Sequence, residues 1–126
     1  EVTFYFHCAG EGRKMDSLRA NPHVCMTAVS RCRPLLDPKD RDFTLEFSSA
    51  TAFGTAGIVS DMNEKIDALR IICQRYFPND MDGFEASLER SLDVTTVVKI
   101  TLSEPPTGKR KQYDSNGEEM KWQRMQ

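Results

Sequence analysis

The chain has 126 residues, 39% of them apolar and 29% charged, which suits one domain with a core and leaves little room for two. A net charge of −2 argues against a general nucleic-acid binder, which carries a basic excess. No apolar run approaches the ~20 residues needed to cross a bilayer, and no signal-peptide pattern opens the chain, although it begins at Glu1 and not at Met.

Val2 to His7 alternates aromatic residues and β-formers and predicts a strand, which Gly10 and Gly12 end. Arg13 to Asn21 carries Met15, Leu18 and Ala20 and predicts a short helix stopped by Asn21-Pro22. His23 to Ser30 is mostly apolar and predicts a well-buried strand. Arg31 to Arg41, with two prolines and many charges, predicts an exposed loop. Asp42 to Phe47 alternates Phe43, Leu45 and Phe47 as a half-buried strand. It continues through Ser48 to Ser60, where Gly54 and Gly57 predict a bend or bulge.

Asp61 to Phe77 is the clearest helix. Asp61 and Glu64 make a capping-box-like start, and Met62, Ile66, Leu69, Ile72, Cys73 and Tyr76 form an apolar stripe. Met81 to Leu92 predicts a second short helix, and Val94 to Leu102 a strong strand ended by Pro105-Pro106-Thr107-Gly108. Lys109-Arg110-Lys111 is expected as a solvated turn. The tail beyond is weakly patterned; only Met120, Trp122 and Met125 suggest packing. The order β-α-β-β-β-α-α-β predicts antiparallel strands with helices outside, mainly β or α+β. Its first strand has an open edge unless further residues or a partner chain pair with it.

Cys8, Cys25, Cys32 and Cys73 form no C-x-x-C pair, and the histidines are His7 and His23, so no metal site is expected. The cysteines read as reduced thiols of a cytoplasmic protein. The segment His7-Cys8-Ala9-Gly10-Glu11-Gly12-Arg13-Lys14 is the candidate for chemistry. Its glycines permit close backbone approach to a ligand. Helix-start N–H groups attract an anion, and Arg13 and Lys14 add a bidentate fork and a point charge. Taken alone, the pattern fits a phosphate site or simply a turn. It is neither a Walker loop nor a dinucleotide fingerprint.

The run from Phe4 to Cys25 resembles the pyridoxamine 5′-phosphate oxidase-like superfamily, closest to its nitroimidazole-resistance (Nim-type) flavoprotein branch. Two further stretches agree. Phe47 to Ala56 resembles the family's Ser-x-x-x-x-Gly-x-Ala strand, and Val97 to Leu102 followed by Thr107-Gly108-Lys109-Arg110 resembles its closing strand and Thr-Gly-Lys turn. The resemblance implies an FMN-binding split β-barrel at residues 1–111, its N-terminal part missing, followed by a tail at 112–126. It implies a homodimer with the flavin at the interface, so that one wall of the site lies outside this chain.

By the same resemblance Arg13 and Lys14 match the pair that binds the FMN phosphate. His7, Cys8 and Ser49 match further flavin contacts, Cys8 through its backbone, and His7 matches the histidine tied to reduction in the Nim branch. Without it, His7 is equally a strand-end histidine bonded to backbone, and Ser49 a hydroxyl satisfied within the sheet. The function implied is an FMN-dependent oxidoreductase acting on a small molecule, with neither nucleic acid nor membrane as partner. The alternatives are a non-catalytic flavin or other cofactor binder and a degenerate barrel that only dimerises.

Overall fold

The structure, a computed structural model, describes residues 2–121. Its elements are β1 (Thr3–Ala9), α1 (Arg13–Ala20), β2 (His23–Leu36), β3 (Phe43–Ile58), α2 (Met62–Tyr76), α3 (Phe84–Ser91), β4 (Thr95–Leu102) and β5 (Thr107–Lys111). Short 3-10 turns at Met81–Gly83 and Leu92–Val94 flank α3. The strand order is β1-β4-β3-β2, with β5 pairing β3 off this path. The chain forms two compact units, one from Glu1–Val24 and Gly54–Ser103, the other from Cys25–Phe53 and Glu104–Gln126.

In the first unit β4 pairs antiparallel with β1 and with the C-terminal end of β3. β4 buries side chains on both faces, Val97 on one and Val98 and Ile100 on the other. Val97 is 0% exposed and packs with Val59, Ala68, Leu69 and Phe84, so α2 and α3 cover that face. On the opposite face Val98 lies in register with Phe6 and Ile58, and α1 contributes Met15, only 1% exposed. Each such side chain contributes roughly 1.5–3 kcal/mol by leaving water.

The α2 stripe is realised at its centre, where Ala68 and Leu69 are buried. It fails at its ends, where Met62 and Tyr76 are exposed. Asp61 caps α2 by accepting from the Asn63 N–H at 3.2 Å. Glu64 does not complete the expected box; its Oε1 accepts instead from Tyr5 Oη at 2.9 Å and Lys99 Nζ at 3.0 Å. This ties the first turn of α2 to β1 and β4. Gly54 is not at a bend: β3 is continuous there, and a Cβ would meet the Thr101 carbonyl oxygen at 2.5 Å. The glycine permits close backbone approach.

Among the described residues the second unit contains no helix, and three expectations fail there. β2 runs on to Leu36 through the segment expected as a loop, and most of its side chains are exposed. An apolar strand is buried only where a second layer covers it. Pro34 falls in β2, which ends the strand order, and an edge strand is where proline is tolerated. Thr107–Lys111 is likewise a strand and not a turn. Once Pro105 and Pro106 end β4, these residues pair with the N-terminal half of β3, from Thr51↔Thr107 to Phe47↔Lys111.

Beyond β5 the chain turns back on itself. Tyr113 bridges to Glu119, and Asp114 Oδ1 accepts the Asn116 and Glu118 N–H groups around Gly117. Met120 is half-buried; Trp122 and Met125 lie outside the described residues.

Candidate functional site

The site is built where β1 hands over to α1. Gly12 precedes the helix at φ 119°, a backbone state that side chains disfavour, and a Cβ there would meet nothing within 4 Å. The helix start has no side-chain cap. The N–H groups of Arg13, Lys14 and Met15 therefore lack intrahelical partners, while Asp16 N–H already donates to the Gly12 carbonyl at 3.0 Å. Arg13 and Lys14 are both exposed and make no ion pair among the described residues. Lys14 Nζ sits 5.2 Å from the centroid of the Phe6 ring, so its stem lies along β1. Glu11 is the nearest carboxylate in sequence, and it too is exposed.

Arg19, which sequence reasoning missed, fixes the turn. Its guanidinium donates to the Gly10 carbonyl at 2.9 Å and lies 3.7 Å from Asp16. A basic residue in the last turn of a short helix gave no signal that it would fold back on the preceding loop. Gly10 is constrained as well, since a Cβ would stand 3.1 Å from Thr96 Oγ1.

Strand alternation separates His7 from Cys8. His7 pairs with Val97 and shares the face of Tyr5, which α2 and α3 cover. Cys8 shares the face of Phe6 and bonds the Met15 sulfur at 3.6 Å. The His7 side chain is exposed, with no hydrogen-bond partner among the described residues. The first unit thus brings His7, Cys8, Arg13 and Lys14 to one strand–helix junction. Ser49 belongs to the second unit, half-buried and in register with Lys109.

No three His, Cys, Asp or Glu side chains among the described residues are grouped to hold a metal ion. All four cysteines are free. No helix among the described residues is long and apolar enough to cross a membrane. The other polar cluster of the first unit is Tyr5–Glu64–Lys99. There the Lys99 ammonium and then the Tyr5 hydroxyl hold the Glu64 carboxyl below its ordinary value, and that carboxylate raises the Tyr5 phenol.

No curated protein matches the chain. A candidate 5-nitroimidazole antibiotic resistance protein from Bacteroides thetaiotaomicron is 25% identical, with a TM-score of 0.68 over 86% of this chain and 61% of that one. The flavocytochrome Anf3 from Azotobacter vinelandii shares the fold at 18% identity and TM-score 0.70, over 98% of this chain and 63% of its own. A FAD and heme binding protein from Mycobacterium smegmatis does so at 16% identity and TM-score 0.70, over 86% of this chain and 53% of its own. The chain therefore spans about half to two thirds of these proteins. They bear out the antiparallel split-barrel fold class expected from the sequence. The sequence itself matches the pyridoxamine 5′-phosphate oxidase family over residues 1–109, and the chain belongs to that family.

Proposed function

We propose that the chain binds a flavin mononucleotide, with the phosphate at Arg13 and Lys14, and serves as a flavin-dependent oxidoreductase in a homodimer. The observation that carries this is the start of α1: an uncapped helix end with an adjacent Arg-Lys pair that makes no ion pair among the described residues, in a chain of the pyridoxamine 5′-phosphate oxidase family. The residues fit a phosphate. Three N–H groups, the guanidinium fork of Arg13 and the Lys14 ammonium supply charge-assisted donors, and Gly12 puts no side chain in the way. Flavin binding also accords with the solved relatives named for a flavocytochrome and for FAD and heme.

A bound flavin would supply the electron-accepting ring system. The chain's own residues bind, orient and exchange protons. Arg13 and Lys14 would neutralise the phosphate. Arg19 holds the Gly10 carbonyl and keeps the turn from opening. His7, exposed at the end of β1, offers an imidazole nitrogen as proton donor to a substrate being reduced. Cys8, held against Met15, contributes its backbone. The likeness to the Bacteroides protein makes a nitroaromatic compound the substrate to try first.

The test is direct. The purified protein should be yellow, with bound flavin released on denaturation, and should reduce a nitroimidazole at the expense of NAD(P)H. His7→Asn should keep the colour and lose most of the turnover. A colourless protein that takes up neither FMN nor FAD would remove the proposal. A coloured protein without reductase activity would leave only the binding half.

A further inference from the structure

The first unit carries a cavity that the flavin proposal does not use. It has a volume of about 200 Å³ and is lined by Leu18 and Arg19 of α1, by Ala56, Gly57 and Ile58 of β3, and by Val98 of β4. Its walls follow from the strand register. Ile58 pairs with Val98 and Ala56 with Ile100, so these side chains share the sheet face that α1 covers. The cover is incomplete. Val98 is 1% exposed while its pair Ile58 is 50% exposed, so the helix closes over Val98 and leaves Ile58 at an open rim. The chain leaving α1 is fixed to this wall. The Asn21 N–H donates to the Ser17 carbonyl at 2.9 Å, and the Ala56 N–H to the Pro22 carbonyl at 2.8 Å.

Arg19 is the charged member of the lining. Its guanidinium offers several N–H donors in a planar fork. One nitrogen donates to the Gly10 carbonyl at 2.9 Å, a neutral partner. That bond draws the group back toward the start of α1, away from the negative end of the helix dipole. The carboxylate nearest to it is Asp16 at 3.7 Å, beyond hydrogen-bond reach, and that side chain is 77% exposed, where solvent screens most of the attraction. Arg19 makes no other ion pair among the described residues. Apolar walls beside a positioned and weakly neutralised guanidinium are complementary to an apolar anion.

We infer that this cavity binds a small apolar monocarboxylate, its carboxylate on the Arg19 fork and its body against Leu18, Ile58 and Val98. A carboxylate is planar and singly charged, which matches one guanidinium. A phosphate dianion calls for further cations, and the lining holds none besides Arg19. The volume falls below the roughly 300–1,000 Å³ of pockets for drug-sized ligands. It admits a single ring or a short branched chain and excludes a flavin. The site uses the last turn of α1, whereas Arg13 and Lys14 stand at its first, and it does not rest on their role.

Titration of the full chain with benzoate at neutral pH and constant ionic strength, followed by amide chemical shifts, tests this. Saturable shifts are expected at residues 17–20 and 56–58. Benzyl alcohol, which lacks the charge, should not saturate, and acetate, which lacks the ring, should bind about tenfold more weakly. Arg19→Gln should weaken benzoate about tenfold, the loss of one charge-assisted contact. Ile58→Ala should weaken benzoate and leave acetate unchanged. Asp16→Asn removes the competing carboxylate and keeps the Arg19–Gly10 bond, so it should tighten benzoate about twofold. A helix merely disturbed by substitution would give no such gain. Arg13→Ala with Lys14→Ala should change the affinity little. The inference is overturned by absence of saturation, by acetate or benzyl alcohol binding as well as benzoate, by retained affinity in Arg19→Gln, or by an Asp16→Asn variant that binds no tighter. It is equally overturned if affinity is lost in the Arg13/Lys14 variant, which would place the anion at the start of α1.

Discussion

The two units are held together by different forces. Among the described residues, the buried apolar side chains belong to the first unit, with Ala52 the sole exception. There α2 and α3 cover one face of β4 and α1 the other, and burial does most of the stabilising. The second unit leaves Phe43 93% exposed and holds its strands with polar contacts: Arg33–Glu46, Tyr113–Asp37, Lys111–Thr44 and Lys39–Glu118. The first unit should therefore respond more to lost volume and the second more to pH and salt, with Tyr5–Glu64–Lys99 as the first unit's own pH-sensitive contact.

The largest expected effect tests the first half of that contrast. Met15→Ala should destabilise the protein by about 3 kcal/mol, read from the urea midpoint, because α1 loses the side chain seated against Cys8. A loss below about 1 kcal/mol would mean that α1 does not depend on this burial. Next comes Tyr113→Phe, which removes the hydroxyl that donates to Asp37. Amide exchange should quicken across residues 112–120 and change little in β4. Equal acceleration in both places would erase the distinction between the units.

The pH response is smaller but has a definite sign. The Tyr113 hydroxyl, followed by the Asp40 and Lys39 N–H groups, holds the Asp37 carboxyl below its ordinary value. Glu46 is lowered by Tyr113 N–H and then Arg33. Stability from a lowered carboxyl is complete above its unfolded value, here 3.8 for Asp37 and 4.5 for Glu46, and is lost as pH falls through the folded one. Tyr113 is raised above 10.0, chiefly by Asp37, so its share is complete below that value and lost as pH rises beyond it. Residues 112–120 should thus open at both acid and alkaline extremes while Val97 and Val98 stay protected, as amide exchange against pH would record. The smallest effect belongs to Arg70–Glu85, an exposed pair at 3.4 Å. A double-mutant cycle there should give only about 0.3 kcal/mol.

What could be foreseen from the sequence follows the same division. β4 and α2 were legible because their apolar periodicity matches real covering layers. The strand of exposed β2 beyond Ser30, and all of β5, were not legible. Their charges and prolines suggest loops, and only pairing with β3 makes them strands. At the proposed flavin site the residues from His7 to Lys14 could be picked out because they are contiguous. Arg19 could not, because its role rests on a contact made by folding back onto Gly10. The Arg33–Glu46–Tyr113 clamp was hidden for a related reason, since its members are 13 and 67 residues apart.

The most direct measurement of the central proposal compares FMN with riboflavin, which lacks the phosphate, on the native chain and on the Arg13→Ala, Lys14→Ala double variant. The native chain should prefer FMN by about a hundredfold, the worth of two charge-assisted contacts. The variant should lose most of that preference, keeping only the part that the N–H groups at the start of α1 supply. An unchanged preference for FMN in the variant would contradict the assignment of the phosphate to the start of α1.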